Sequence, residues 1–235
     1  MILSLFLCSV LLLLLSELYL YGKRQTTRTQ RTLAEAAELQ LANQLIRNSI
    51  QKAGFSPCGN ITNLITADLY NNKLHDLILP TTKHKALSVS RMSEEFYRVL
   101  DVINPAQLLT VGKPTQGSLI LIADCDHAEV AKLQQVSINK GKGKTHNTIL
   151  TLTKPLTFQY HSPFYWGEWI EEKFLINKNS AGLPALFYQR EHLEELTPVI
   201  TSLTVKQSAG KKNLVKIVLG LSDHKILMIV RVRNK

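Results

Sequence analysis

The side chains best suited to chemistry fall in a few short stretches. Asp124-Cys125-Asp126-His127 places four metal-capable groups in a row. Read as the end of a strand, neighbours there point to opposite faces, so the four cannot converge on one ion. The seven His are scattered, and no second His/Cys cluster has zinc-like spacing. The chain has no G-x-S-x-G, no phosphate-loop glycine pattern and no H-E-x-x-H. Nothing here points to an enzyme, and no cofactor or metal is implied. Of the three Cys, Cys8 lies in an apolar run and reads as a small apolar residue. Cys58 and Cys125 are either a bridge or two buried thiols.

A second kind of chemistry is anion binding. Lys140, Lys142 and Lys144 put three positive charges into five residues. From Leu196 to Lys235 there are eight bases, among them Lys206, Lys211 and Lys212, against one acid, Asp223. One reading is a surface for DNA phosphates or an anionic cell surface. The other is solvated basic loops, which we favour because no nucleic-acid motif accompanies the charge. The only two Trp, Trp166 and Trp169, sit with Phe158, Tyr160, Phe164 and Tyr165. Such a stretch reads as a core or inter-sheet cluster, and alternatively as an exposed contact with another protein.

The elements that must position these groups follow from how charge and apolarity are distributed. The chain has 235 residues, a net charge of +10 and 45% hydrophobic residues, which excludes a disordered chain. Residues 1–16 carry no charge, residues 1–22 carry only Glu17, and the remaining 213 carry a net +11. One apolar run excludes a polytopic membrane protein. That run, with Leu11 to Leu15 at its centre, approaches the roughly 20 residues of a bilayer span if Glu17 is tolerated near an interface. Tyr19 and Tyr21 fit an interfacial belt, and Lys23, Arg24, Arg28 and Arg31 follow it. A cleavable signal peptide fits less well, because no base precedes the run and no small-x-small site follows.

Beyond Gly22 the chain has no Pro and no further Gly before Gly54. Leu39, Ala42, Ile46, Ile50 and Ala53 form one helical stripe. Gly54 is a C′ stop and Pro57 prevents restart. The simplest object is one helix over residues 2–53, roughly 80 Å long; the alternative is two helices broken at Gly22. Three segments follow: 1–21 as the membrane-spanning half, 22–54 as the amphipathic continuation, and 55–235 as a globular domain.

The globular part reads mainly as short strands. They are 76–79, 86–90, 118–123, 148–152, 173–176, 185–188, 200–205, 214–219 and 226–232, most of them bounded by turn residues. Residues 93–103 are ambiguous, since Ser93-Glu94-Glu95 looks like a helix start while Phe96, Arg98, Leu100 and Val102 alternate. One long helix followed by strands predicts an α+β fold with antiparallel sheet.

Taken in order, several segments resemble the PilW family of type IV minor pilins. They are Lys23-Arg24-Gln25-Thr26-Thr27-Arg28 after the apolar run, Ala53-Gly54-Phe55-Ser56-Pro57-Cys58 at the helix end, and Leu121-Ile122-Ala123-Asp124-Cys125. Phe174-Leu175-Ile176-Asn177 with Gly182-Leu183-Pro184-Ala185-Leu186-Phe187, Glu195-Leu196-Thr197-Pro198-Val199 and the closing Val232-Arg233-Asn234 continue the series. The resemblance implies a pilin-like α+β fold, with a long N-terminal helix packed on a β-rich periplasmic domain. It implies a structural role in a tip or assembly-priming complex. The partners would be other minor pilins and the major pilin through the N-terminal helix, and the inner membrane before assembly. A type II secretion pseudopilin shares this plan; a DNA-binding or adhesive module on the pilus is a reading of another class. In a periplasmic domain the resemblance also implies a Cys58–Cys125 bridge, which would contribute about 4 kcal/mol in the chain-entropy model.

The sequence departs from the family at its start. It has no basic leader, no Gly-Phe-like cleavage site and no glutamate at the fifth mature position. Glu17 lies at the other end of the run and reads as an interfacial carboxylate. We expect Met1 to be an internal methionine of a longer prepilin. In-frame translation of the upstream DNA tests this, and a stop codon directly upstream would end it.

Overall fold

The computed structural model describes residues 2–70, 72–74, 78–81, 86–139, 147–207, 214–221 and 224–233, without the side chains of residues 2–5, 7–10, 79–81, 139 and 207. It comprises two compact units, Met1–Gln44 and Leu45–Lys235. The fold is α+β, with one long helix, α1 (Ile2–Gln51), ahead of a β-rich region.

From Ile2 onward the first unit is helix, and Gly22 does not break it. The Thr-rich stretch stays helical by back-bonding. The hydroxyls of Thr26, Thr27, Thr29 and Thr32 donate to the carbonyls of Gly22, Lys23, Gln25 and Arg28 at 2.9–3.0 Å. Leu11 to Leu15, Leu18, Tyr19, Leu20 and Tyr21 are 49–70% exposed. Among the described residues no helix is long and apolar enough to cross a membrane. The described side chains of the run start, Phe6 aside, at Leu11, and Lys23 and Arg24 follow from twelve residues later. The span expected over 1–21 therefore rests on residues 1–10, most of whose side chains lie outside the described ones.

In the second unit, Ile46, Ile50 and Ala53 of the expected stripe are buried. The helix stops at a left-handed Gly54, φ 69°, as the sequence predicts. The Gly54 amide then donates to Ser90 O at 2.9 Å.

Fifteen strands follow among the described residues. Two short ones, β1 (Phe55–Ser56) and β2 (Gly59–Asn60), form a hairpin. A 3-10 turn, Ile61–Asn63, capped by Asn60, leads into β3 (Ile65–Ala67). Then come β4 (Ile78–Thr81), β5 (Ala86–Asn104), β6 (Gln107–Thr110), β7 (Leu119–Ala123), β8 (His127–Asn139), β9 (Asn147–Leu152), β10 (Tyr165–Lys178), β11 (Pro184–Gln189) and β12 (Leu193–Thr197). A separate meander comprises β13 (Ser202–Gln207), β14 (Leu214–Gly220) and β15 (Lys225–Arg231).

The pairings close on themselves. Strand β5 pairs β6, β6 pairs β9, β9 pairs β8, β8 pairs β7, β7 pairs β10, and β10 returns to β5, every step antiparallel. This is a six-stranded barrel, and closure leaves its strands no free edge within the ring. Register puts matched apolar pairs inside it: Trp166 opposite Ile122, Leu108 opposite Leu150, Leu133 opposite Leu152. With Val99, Ile120 and Phe164 they form one buried cluster. A second cluster lies on the outer side of β7 and β8, where Leu121, Ala123, Ala128 and Val130 meet Ile61, Leu64, Met92 and Trp169. The long strands β5 and β10 run on past the ring to pair β4 and β11.

One expectation changes, and one ambiguity is resolved. The sheet is mixed, because β3 pairs β8 in parallel, as the long connection between them, residues 68–126, permits. Residues 93–103 are strand, and the helix-like Ser93-Glu94-Glu95 is a bulge in which three residues of β5 oppose one of β10. Part of the expected strand 76–79, like the turns at 141–143, 209–210 and 222–223, lies outside the described residues.

Candidate functional site

The lysines expected to bind anions lie mostly outside the described residues. Lys140, Lys142, Lys144, Lys211 and Lys212 lie outside the described residues. Lys206 is exposed on β13, with Lys216 of β14 as its cross-strand partner. Like charges so placed repel, and no acid among the described residues lies on these three strands.

The cysteines do come together. Cys58 and Cys125 form a disulfide with a Cα–Cα distance of 4.9 Å across 67 residues of sequence. It fastens the segment after the helix to the turn between β7 and β8, next to the outer cluster that this segment covers.

Asp124-Cys125-Asp126 is that turn and not, as expected, the end of a strand. The Asp124 carboxylate holds it. Oδ1 accepts the amides of Asp126 at 2.8 Å and His127 at 2.5 Å, and Oδ2 accepts the amide of His161 at 3.1 Å. Burial alone would push this carboxyl up, but the backbone amides of His127, His161 and Asp126 outweigh it and hold it below the usual range. The His127 ring stacks on Phe158, 4.9 Å between centroids, with Nδ1 3.4 Å from Asp124 Oδ1. Among the described residues no group of three His, Cys, Asp or Glu could hold a metal.

Beside this turn lies a carboxyl that the sequence did not flag. Glu129 is the cross-strand partner of Ile122 and is 4% exposed, facing the barrel interior. Its Oε2 accepts the amide of Thr157 at 2.8 Å. Burial pushes its pKa up, against the hydrogen bonds from Thr157 and Tyr160. Burial, then the Glu129 charge, push the Tyr160 phenol up in turn. A second buried polar group joins Glu172 Oε1 to Arg91 Nη2 at 3.2 Å and to the Tyr188 hydroxyl at 3.1 Å. Burial, then Glu172, push the Tyr188 phenol up to about 12. Glu129 went unnoticed because β8 itself did. Glu172 sits in Glu171-Glu172-Lys173, where nothing in the sequence marks which charge is buried.

Both Trp are buried, but in different cores. Trp166 is in the barrel, its Nε1 donating to Thr110 Oγ1 at 2.6 Å and its ring stacked on Tyr97. Trp169 is in the outer cluster. The surface cavities lined by described residues include two of modest size. One of about 170 Å³ is lined by Asp68, Tyr70, Glu129, Lys132 and Lys154, and one of about 130 Å³ by Lys52, Phe55, Glu94 and Arg233. Both are smaller than the roughly 300–1,000 Å³ of typical small-molecule sites. The arrangement thus offers a stapled, polar-capped barrel and exposed strand faces, with no assembled nucleophile and base among the described residues. Compared with known proteins, the chain matches no family model, no curated sequence and no solved structure.

Proposed function

We propose that this chain is a structural minor pilin, a subunit that its N-terminal helix docks into a type IV filament or its priming complex. A type II secretion pseudopilin shares the same plan. The observation that carries the reading is α1 itself. It runs without a break from the exposed apolar side chains between Leu11 and Tyr21 to the buried Ile46 and Ile50. Nine large apolar side chains on one helix require a cover. In the inner membrane that cover would be lipid, with the β-rich domain in the periplasm, and in a filament it would be the same segment of neighbouring subunits. Exchanging one apolar environment for the other leaves little hydrophobic cost to extraction. The Cys58–Cys125 bridge fits an oxidising compartment.

The test is photocrosslinking from Leu13 of the full chain in the cells that make it. Adducts to the apolar helices of other pilin-like subunits are expected. Adducts to lipid alone, under conditions in which filaments form, would overturn the reading.

A further inference from the structure

Several edges of the second unit are open among the described residues, β4 and β13 included, and two of them, β12 and β15, carry opposite charge. Strand β15 pairs only β14. It turns Met228 and Val230 inward and presents Lys225, Leu227, Ile229 and Arg231 outward, with Leu227 53% and Ile229 60% exposed. Lys206 and Lys216 lie on the same outer face, and none of these four cations is in an ion pair among the described residues. Strand β12 ends the other sheet and pairs only β11. It presents Leu193, Glu194 and Glu195, all exposed, and neither glutamate is in an ion pair among the described residues.

We propose that the β12 edge of one copy of this chain docks on the β15 edge of a second copy. Charged residues on an edge discourage pairing with a like edge, so β15 with β15 and β12 with β12 are both disfavoured. Opposite edges attract. An antiparallel approach that sets Glu194 opposite Arg231 also sets Leu196 opposite Ile229, because strand side chains alternate. The contact is heterologous, so it builds rings or open chains and not a closed two-fold dimer. Phosphates of DNA would use the cations but leave Leu227 and Ile229 bare. An acidic lipid surface would use both but leave the β12 edge without a role. The inference does not rest on the pilin reading, since it concerns only residues 191–231.

The experiment is sedimentation velocity of the full chain in non-ionic detergent, comparing wild type, Arg231→Glu, Glu194→Arg and the double variant. Both positions are exposed, and circular dichroism confirms the fold of each. Wild type should self-associate at about 50 mM salt and more weakly at about 500 mM. Each single reversal should weaken association at least about tenfold, and the double variant should recover to within about threefold of wild type. Equal association in all four chains would overturn the proposal, because the unchanged helix would then be its source. A monomer at every salt would also overturn it, whether or not that monomer binds duplex DNA or micelles doped with phosphatidylglycerol.

Discussion

The barrel and the β13–β15 meander are built from the same alternating antiparallel strands, yet they dispose of their edges in opposite ways. The barrel bends β5 and β10 round to meet, fills the enclosed space with Trp166, Ile122, Leu150 and their neighbours, and has no edge left within the ring. The meander stays open, buries one face and leaves Leu227 and Ile229 on the other. The difference locates two kinds of energy. In the barrel, side chains stabilise the fold. On the meander's outer face they contribute little to folding and are free to recognise something else.

The comparison breaks most readily at Trp166. Trp166→Ala empties the barrel and takes the indole donor from the Thr110 hydroxyl, which keeps its bond to Arg98 O, and should cost about 3–5 kcal/mol in urea unfolding followed by circular dichroism. Leu227→Ser on the meander should cost within about 0.5 kcal/mol in the same assay. Equal losses at the two sites would sink the contrast.

The disulfide comes next, because it fastens the cover of the barrel wall while no disulfide touches the meander. The Cys58→Ser/Cys125→Ser chain should lose about 2–4 kcal/mol. Hydrogen exchange should then rise first in residues 55–69 and at the outer face of β7, with the meander unchanged. Gly112 gives a smaller and more local test. A Cβ there would lie 2.5 Å from Tyr97 and 2.6 Å from Trp166. Gly112→Ala should therefore destabilise by about 1–3 kcal/mol through overpacking, and shift tryptophan fluorescence.

How much of this was legible depends on whether a feature is local. The helix and its stop at Gly54 follow from residues adjacent in sequence, and most strands were found because their alternation is unbroken. Strand β8 was missed for a physical reason. His127 to Asn139 has Val130, Leu133 and Val136 at intervals of three among Ala, Lys and Gln, a spacing nearer to helix than to strand. Val130 belongs to the outer cluster and Leu133 to the barrel, while a bulge after Leu133 brings Val136 round to the inside as well. The bulge at Ser93–Glu95 similarly mimicked a helix start. Barrel closure depends on β5 meeting β10 about seventy residues later, which no local pattern encodes. The Cys pairing was reached through resemblance and left open by the residues themselves. The buried roles of Glu129 and Glu172 needed the register.

Glu129 sharpens the comparison through pH. Its folded pKa is raised above the ordinary 4.5, with burial as the first cause, so the folded state prefers the protonated acid. Its contribution is fully present below that ordinary value and is lost as pH rises through the higher folded one. Glu129→Gln should therefore flatten the pH dependence of stability from about 4.5 upward and raise stability at neutral pH. A variant that loses stability at neutral pH while keeping the wild-type slope would show that the carboxylate, and not the acid, is what the barrel holds.

The smallest effect has the opposite sign from the first three. Lys206 and Lys216 are direct cross-strand partners on the meander's outer face, and both are exposed. Like charges set so close work against the sheet, so Lys216→Thr should stabilise the fold by about 0.2–1 kcal/mol at low salt. The gain should shrink as salt screens the pair, because both ammonium groups stand in water. None of the apolar side chains inside the barrel has this character, since there every truncation removes contacts. A residue whose loss improves folding is retained for another reason, and on this face the acidic β12 edge of a second copy supplies one. If Lys216→Thr both stabilises the chain and weakens its self-association, the meander trades fold stability for recognition. If it stabilises the chain and leaves association unchanged, the repulsion is a plain defect, and Arg231 with Lys225 must account for the docking alone.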